Sequence, residues 1–366
     1  MNEKVLVINP GSTSTKLAIY EKDEVIVEKT IEHESKIIDQ FKTIPDQKDF
    51  RKKTIISFLN DENIQVNDLT AIVGRGGLLR PIVGGTYRIN EKMINDLEKE
   101  SYGSHASNLG AILANEIAQE NSLPAYIVDP VVVDEFNQLA RISGLAGIEK
   151  RSVGHTLNQK AVAREVLEKK GKSYKEGKVI VVHLGGGISI GAHDQGEMVE
   201  MVNGLDGEGP YSPERTGSLP LIDFAEKIID DSMTIDQVKK MIAGKGGLKS
   251  YLNETDVRII QKNIEAGDSH AKLYLDGMIY QISRSIGSIA PVLKGEIDYI
   301  ILTGGISYSD YLVSAIKEYT DWIAEIEVVP GEKEMEALYQ GVKRVIDKKE
   351  MPKEYIEDNV QEEKYE

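Results

Sequence analysis

No cysteine occurs among the 366 residues. Disulfides, thiolate catalysis and cysteine-ligated zinc or iron–sulfur sites are therefore excluded, and the composition fits a reducing compartment. No apolar run approaches the ~18 residues of a membrane span. The chain opens on a strand pattern within about five residues, with no basic-then-apolar leader. A soluble, cytoplasmic protein is expected. Positive charge is also scarce. Lys and Arg number 44 against 60 Asp and Glu, a net charge of −16. That balance argues against nucleic acid or an anionic membrane as partner. An anionic ligand would have to be held locally by a few arginines. What is present is 40% apolar sequence in short runs, enough for a sizeable core. The length predicts one large or two medium domains.

Six of the short runs read as strands: Val5–Ile8, Ala71–Val73, Ala125–Val128, Val179–Val182, Tyr299–Leu302 and Ile326–Val329. They are too short and too β-branched for helices. Each is followed by polar, proline or glycine residues, among them Asn9-Pro10-Gly11, Gly74-Arg75-Gly76-Gly77, Asp129-Pro130, His183-Leu184-Gly185 and Thr303-Gly304-Gly305. Ordinary turn chemistry explains any one of these. As a set they mark the carboxyl ends of buried strands, where open α/β sheets bind ligands. Helical spacing is expected around Leu109–Ile117, in Thr156–Lys170 with Gly171 as its stop, from His270 to Ile289, and from Glu334 to about residue 349. The charged tail after Pro352 is expected to fray.

A weak internal repeat is visible. VLVINPGSTSTKLAI begins at Val5 and VIVVHLGGGISIGAH begins at Val179, an offset of 174 (179 − 5). Both continue as strand-like sequence. Two related halves are expected, with a boundary near residue 150. The segment NPGSTSTK, residues 9–16, has the glycine, hydroxyls and lysine of a phosphate cradle, yet a P-loop needs a second glycine and a following helix. Lys16 instead leads into Leu-Ala-Ile-Tyr. A hairpin turn is the better reading, and its amides and hydroxyls could still bind phosphate.

The finer motifs carry a resemblance. VINPGSTSTK, VGRGGLLRP, HASN, VDPVVVDEF, RSVGHTLNQKAVA, VHLGGGISI, SPERTGSLP, LNETDVRI, LTGGIS and PGEKEMEAL run in order along nearly the whole chain. The set resembles the acetokinase family, the carboxylate-kinase branch of the acetate and sugar kinase, heat-shock ATPase and actin superfamily. Gly74-Arg75-Gly76-Gly77 and Gly185-Gly186-Gly187 are the forms found in its butyrate-kinase group. The resemblance implies an α/β fold of two related domains with ribonuclease H-like mixed sheets flanked by helices and an ATP cleft between them. An N-terminal carboxylate-side domain, 1–150, would be joined by a C-terminal helix over 334–366, and a nucleotide-binding domain would span 151–333. It also implies ATP and Mg2+, reversible in-line transfer of the γ-phosphoryl group to butyrate or a related short or branched acid, and a homodimer or higher homo-oligomer. The alternatives are an acetate or propionate kinase, or an ATPase or sugar kinase of the same superfamily.

Such a reaction brings two anions together through a loose transition state, so it needs fixed positive charge, a metal and positioning. Arg75 and Arg215 are the candidates, because guanidinium matches carboxylate and phosphate oxygens. A solvated surface arginine is the bland reading of each. His155, in a GHTLN context, matches the family's catalytic histidine and could donate to an equatorial oxygen. Asp129 is the first choice for magnesium, its bland reading being an Asp-Pro turn. Glu334 or Glu336 would be the matching carboxylate. Asn9 and Ser12 would orient the γ-phosphate or metal-bound water. On the nucleotide side stand His183, Gly185, Gly186, Gly187, Asp256, Arg258, Gly304 and Gly305. A dinucleotide fingerprint fails for these glycines, since neither run gives G-x-G-x-x-G opening a helix. His105, Gly76, Gly77 and Val133 are the acyl-side candidates, with Leu79, Ile82 and Phe136 nearby. One methylene is worth only about 1–3 kcal/mol in such a pocket, so chain length is not readable from residue types. His33, His193 and His270 read as incidental.

Overall fold

The computed structural model describes residues 3–356. Twelve strands are present among them: β1 (Lys4–Pro10), β2 (Ser14–Glu21), β3 (Glu24–Glu32), β4 (Leu69–Arg75), β5 (Thr86–Arg88), β6 (Ala125–Val128), β7 (Lys178–Leu184), β8 (Ile188–Asp194), β9 (Glu197–Val202), β10 (Tyr299–Gly304), β11 (Glu325–Pro330) and β12 (Lys353–Glu354). All six strands expected from the apolar runs are there. The chain divides into two compact units. One is built from the chain up to Asp134 and again from Lys333 onward, the other from Glu135–Glu332. The first break therefore falls earlier than residue 150. Glu135 explains why: its carboxylate takes Lys160 Nζ at 2.7 Å and the Met198 amide at 2.7 Å, all buried within the second unit.

In the first unit the sheet order is β12-β5-β6-β4-β1-β2-β3. Val5–Ile8 of β1 are fully buried on both faces, as a continuous apolar run in a central strand requires. The helices Asn108–Glu120 and Glu334–Ile346 pack on this sheet. The first of them lies unusually close to β4. A Cβ on Gly74 would stand 2.0 Å from the Gly110 carbonyl oxygen, and one on Gly110 2.3 Å from that of Arg75. This paired-glycine contact sets the position of the β4 end.

The second unit has the order β11-β10-β7-β8-β9. Successive side chains of β7 serve opposite faces. Val179 and Val181 pack with Val162, Ala163 and Val166 of the Thr156–Lys169 helix. Ile180 and Val182 pack with Leu275, Ile279 and Ile282 of the Ser269–Ile289 helix.

The repeat is a structural one. β1-β2-β3 is an antiparallel meander with β4 added parallel to β1; β7-β8-β9 is the same meander with β10 parallel to β7. The starts of β1 and β7, and of β2 and β8, both differ by 174 (178 − 4 and 188 − 14). NPGSTSTK is the turn of the first hairpin, with Asn9 opposite Lys16, and Lys16 pairs with Glu28 on the sheet.

The C-terminal expectation is corrected. The last helix ends at Ile346, not 366. The chain then adds β12 in parallel beside β5. Tyr355 is buried, its hydroxyl donating to Asp96 Oδ2 at 2.8 Å. An aromatic anchor thus holds the segment expected to fray, as far as residue 356. The rest of that tail lies outside the described residues.

Candidate active site

Within the first unit the expected residues gather at the carboxyl ends of β1, β4 and β6. Asn9 is the penultimate residue of β1, and its amide donates to Glu334 Oε2 at 2.9 Å. Arg75 ends β4 and pairs with the same carboxylate oxygen. Glu334 opens its helix, where the N-terminal dipole favours a carboxylate. Glu336 is half-exposed and faces Lys333 at 3.8 Å, so Glu334 is the one directed at the strand ends. Asp129 follows β6 with a positive φ of 37°, a strained conformation for a non-glycine residue. It is buried, and its Oδ1 accepts from the Gly85 amide at 2.7 Å.

Ser12 sits exposed at the hairpin tip. Two residues missed in the sequence hold this turn. Arg51 is fully buried and donates to Ser12 O at 3.0 Å, Ser14 O at 2.6 Å and Thr15 Oγ1 at 3.0 Å. Burial pushes its guanidinium down to about 10. His33 bonds Thr15 Oγ1 at 2.8 Å, and its own amide donates to Thr13 O at 2.8 Å. Desolvation and then the charge of Arg51 hold its imidazole below its ordinary value.

The acyl-side candidates divide. His105 is an exposed residue whose Nδ1 meets Ser107 Oγ at 2.8 Å in a part-buried contact, and desolvation, then the Arg75 charge, lower its pKa. Gly76 and Gly77 serve close packing. A Cβ on Gly76 would lie 2.4 Å from Pro130 Cβ, and one on Gly77 2.4 Å from Asn108 Oδ1. Val133 is wholly buried and bridges Ile82. Leu79 and Ile82 belong to the core of the first unit. Phe136 is in the second unit, packed with Ala140, Met198 and Met201.

Within the second unit, the β7–β8 turn carries Gly185, Gly186 and Gly187. The loop through Pro213-Glu214-Arg215 rests on it. Ser212 Oγ donates to Gly186 O at 2.6 Å and receives the Arg215 amide at 3.1 Å. The Arg215 guanidinium lies close against Gly187: a Cβ there would be 2.0 Å from Nη1 and 2.3 Å from Cζ. Burial lowers the Arg215 pKa, and Glu214 opposes the shift.

His155 caps the Thr156–Lys169 helix, and its ring stacks on that of His183 at 3.8 Å and 9°. A cavity of about 630 Å³ is lined by Gly186, Glu214, Asp256, Arg258, Gly305 and Tyr308 among others. That volume suits a small-molecule ligand. Gly304, at φ 91°, passes so close to Leu184 that a Cβ would be 2.3 Å from its carbonyl oxygen, while Gly305 faces open space. Asp256 caps the following helix and pairs with Arg258, whose hydrogen bonds bring its carboxyl down to about 2.

No cluster of three or more histidine or carboxylate ligands exists among the described residues. Magnesium does not require one, since it binds through one or two carboxylates plus waters and phosphate oxygens. Asp129 and Glu334 offer hard oxygen donors of that kind.

The sequence pattern of the Acetokinase family matches residues 146–336. A protein of Enterococcus faecalis named "Probable butyrate kinase" is 57% identical over 361 residues, covering 99% of this chain and 100% of that one. The chain belongs to the acetokinase family. As a family member it is a carboxylate kinase, a phosphotransferase. Solved structures agree on the acetokinase fold. Porphyromonas gingivalis acetate kinase matches with a TM-score of 0.74 at 17% identity, covering 93% of this chain and 99% of that chain. Entamoeba histolytica acetate kinase matches with 0.71 at 19%, over the same shares.

Proposed function

We propose that this chain is a cytoplasmic, homodimeric butyrate kinase that moves the γ-phosphoryl group of ATP to butyrate, reversibly, giving butyryl phosphate and ADP. The observation that carries the reading is a pair of guanidinium groups, each seated on a glycine turn at the end of a strand in its own unit. Arg75 is held there by Glu334, and Arg215 by Gly187. Butyrate as the acceptor rests on the name of the Enterococcus faecalis relative. No helix among the described residues is long and apolar enough to cross a membrane.

In the proposed mechanism the second unit holds ATP. Adenosine occupies the cavity beside Asp256, Arg258 and Gly305, and the phosphates follow the Gly185–Gly187 turn. The first unit binds the acid, with Arg75 neutralising the carboxylate and His105 beside it. Arg215 and His155 offset the charge that develops on the equatorial oxygens as the phosphoryl group detaches. Asn9 and Ser12 orient the γ-phosphate. Magnesium, held by Asp129 and Glu334, would supply charge neutralisation on the phosphate oxygens. Hydroxamate trapping tests the reading, because it detects an acyl phosphate and no product of a sugar kinase. Hydroxamate from Mg-ATP and butyrate is expected; ATP binding with no hydroxamate from any acid would overturn it. Light scattering in solution should give twice the chain mass, and a monomer would remove the dimer.

A further inference from the structure

The stacked pair His155 and His183 is served by two adjacent amides, Asn158 and Gln159, on the first turn of one helix. Gln159 is fully buried. Its Nε2 lies 2.8 Å from Ser189 Oγ and 3.3 Å from the Ser189 carbonyl oxygen, and its Oε1 lies 3.1 Å from His193 Nε2. A carbonyl oxygen only accepts, so the amide nitrogen must be the end facing Ser189. The remaining hydrogen bonds are then assigned outward from that amide. Gln159 Nε2 donates to Ser189 Oγ, and with that lone pair filled the Ser189 hydroxyl can turn its own proton to His155 Nδ1, 2.9 Å away. Behind it, His193 Nε2 donates to Gln159 Oε1, and the Tyr174 hydroxyl donates to His193 Nδ1 at 2.8 Å. In this arrangement His155 carries its proton on Nε2.

Asn158 follows the same logic on His183. The Thr303 hydroxyl reaches the Gly331 carbonyl oxygen at 3.2 Å, where it must donate. Thr303 Oγ1 then accepts from Asn158 Nδ2 at 3.3 Å, which fixes the amide orientation. Asn158 Nδ2 donates onward to His183 Nδ1 at 3.0 Å. His183 is likewise the Nε2–H form. Two relays, each fixed by a backbone carbonyl that can only accept, end on the Nδ1 atoms of two stacked rings.

We infer that Asn158 and Gln159 are positioning residues that lock His183 and His155 as Nε2–H donors, with His193 and Tyr174 backing the second relay. This rests on His155 acting as a donor to the phosphoryl group. A histidine whose tautomer is set by its second nitrogen is ready to donate at the first without reorganisation. It also gives His193 a part in the site.

The test is Gln159→Glu, read by long-range 1H–15N spectra of the 15N-histidine-labelled full chain, with His155→Gln used to assign the resonance. In the wild type, the inference expects His155 with Nδ1 unprotonated. The introduced carboxylate accepts from Ser189, so the Ser189 oxygen presents a lone pair to His155 Nδ1, and the spectrum should shift to the Nδ1–H form. With it, kcat should fall about 10²-fold, the size seen when one transition-state donor is lost, while KM for butyrate stays within about twofold. Should that variant fail to fold, Gln159→Met decides by the same spectrum, through a reduced Nε2–H population. An unchanged Nε2–H spectrum in the folded variant, or a wild-type His155 protonated on Nδ1, overturns the inference. A shifted tautomer with unchanged kcat supports the relay and instead removes His155 from the chemistry.

Discussion

Gly187→Ala should disable Arg215 without touching its charge. The backbone at Gly187 lies outside the left-handed region, so alanine is permitted there. The obstacle is the guanidinium, whose Nη1, Cζ and Nη2 would lie 2.0, 2.3 and 2.8 Å from the new methyl. Ordinary contact begins near 3.5 Å, so the group must retreat by about 1.5 Å. Only the flexible end of a side chain moves, so the cost in stability should be about 1 kcal/mol, that of an off-rotamer adjustment. The chemistry is less forgiving. A misplacement of about 1 Å costs on the order of 10²-fold, and full loss of an arginine on the transferring group about 10³-fold or more. We therefore predict a kcat lower by 10²- to 10³-fold (~3–4 kcal/mol in barrier), approaching that of Arg215→Ala. The assay is butyryl hydroxamate formation at saturating Mg-ATP, beside a thermal melt. A kcat within about threefold of wild type, with an unchanged melt, would refute the argument that Gly187 seats Arg215 for catalysis.

Three further outcomes follow from the same geometry. Arg51→Met leaves Ser12 O, Ser14 O and Thr15 Oγ1 without their buried donor and should cost about 2–4 kcal/mol in urea unfolding; a loss under 0.5 kcal/mol would show that the turn holds itself. Glu334→Gln keeps an acceptor for Asn9 but removes the carboxylate paired with Arg75. The pair is partly exposed, so stability should change by about 1 kcal/mol or less, while kcat should fall about 10²-fold in the hydroxamate assay. His33 supplies a pH dependence. Its folded pKa lies below the ordinary value, so between the two the unfolded chain holds the extra proton. Its contribution is full above about pH 6.5 and is lost as pH falls through the folded value. Urea midpoints of wild type and His33→Asn should converge on acidification, and parallel curves would assign that loss to other groups.

Much of the fold was legible because β1, β4, β6, β7, β10 and β11 are short, β-branched and followed by turn residues. The hairpin reading of residues 9–16 came from the strand-like Leu17–Tyr20, which no P-loop permits. What escaped reading depends on burial. Arg51 lies in the run Arg51-Lys52-Lys53, which reads as a solvated helix face, yet it is the one of the three that is fully buried. His193 looked incidental because its partners, Gln159 and Tyr174, are distant in sequence and meet it only through folding. The charged KEYIE segment hid the buried Tyr355. The unit boundary was read too late because nothing local marks Glu135 as the partner of Lys160. At the acyl side, the burial of Leu79, Ile82 and Val133 is a packing fact that residue type alone does not show.

Phosphorylation of a four-carbon acid is the activity assigned to this acetokinase-family chain. The most direct measurement is kcat/KM for Mg-ATP-dependent acyl hydroxamate formation with acetate, propionate, butyrate, isobutyrate and valerate under one set of conditions. A maximum at butyrate is expected. A maximum at acetate or propionate would keep the family and the chemistry but contradict the assignment of butyrate.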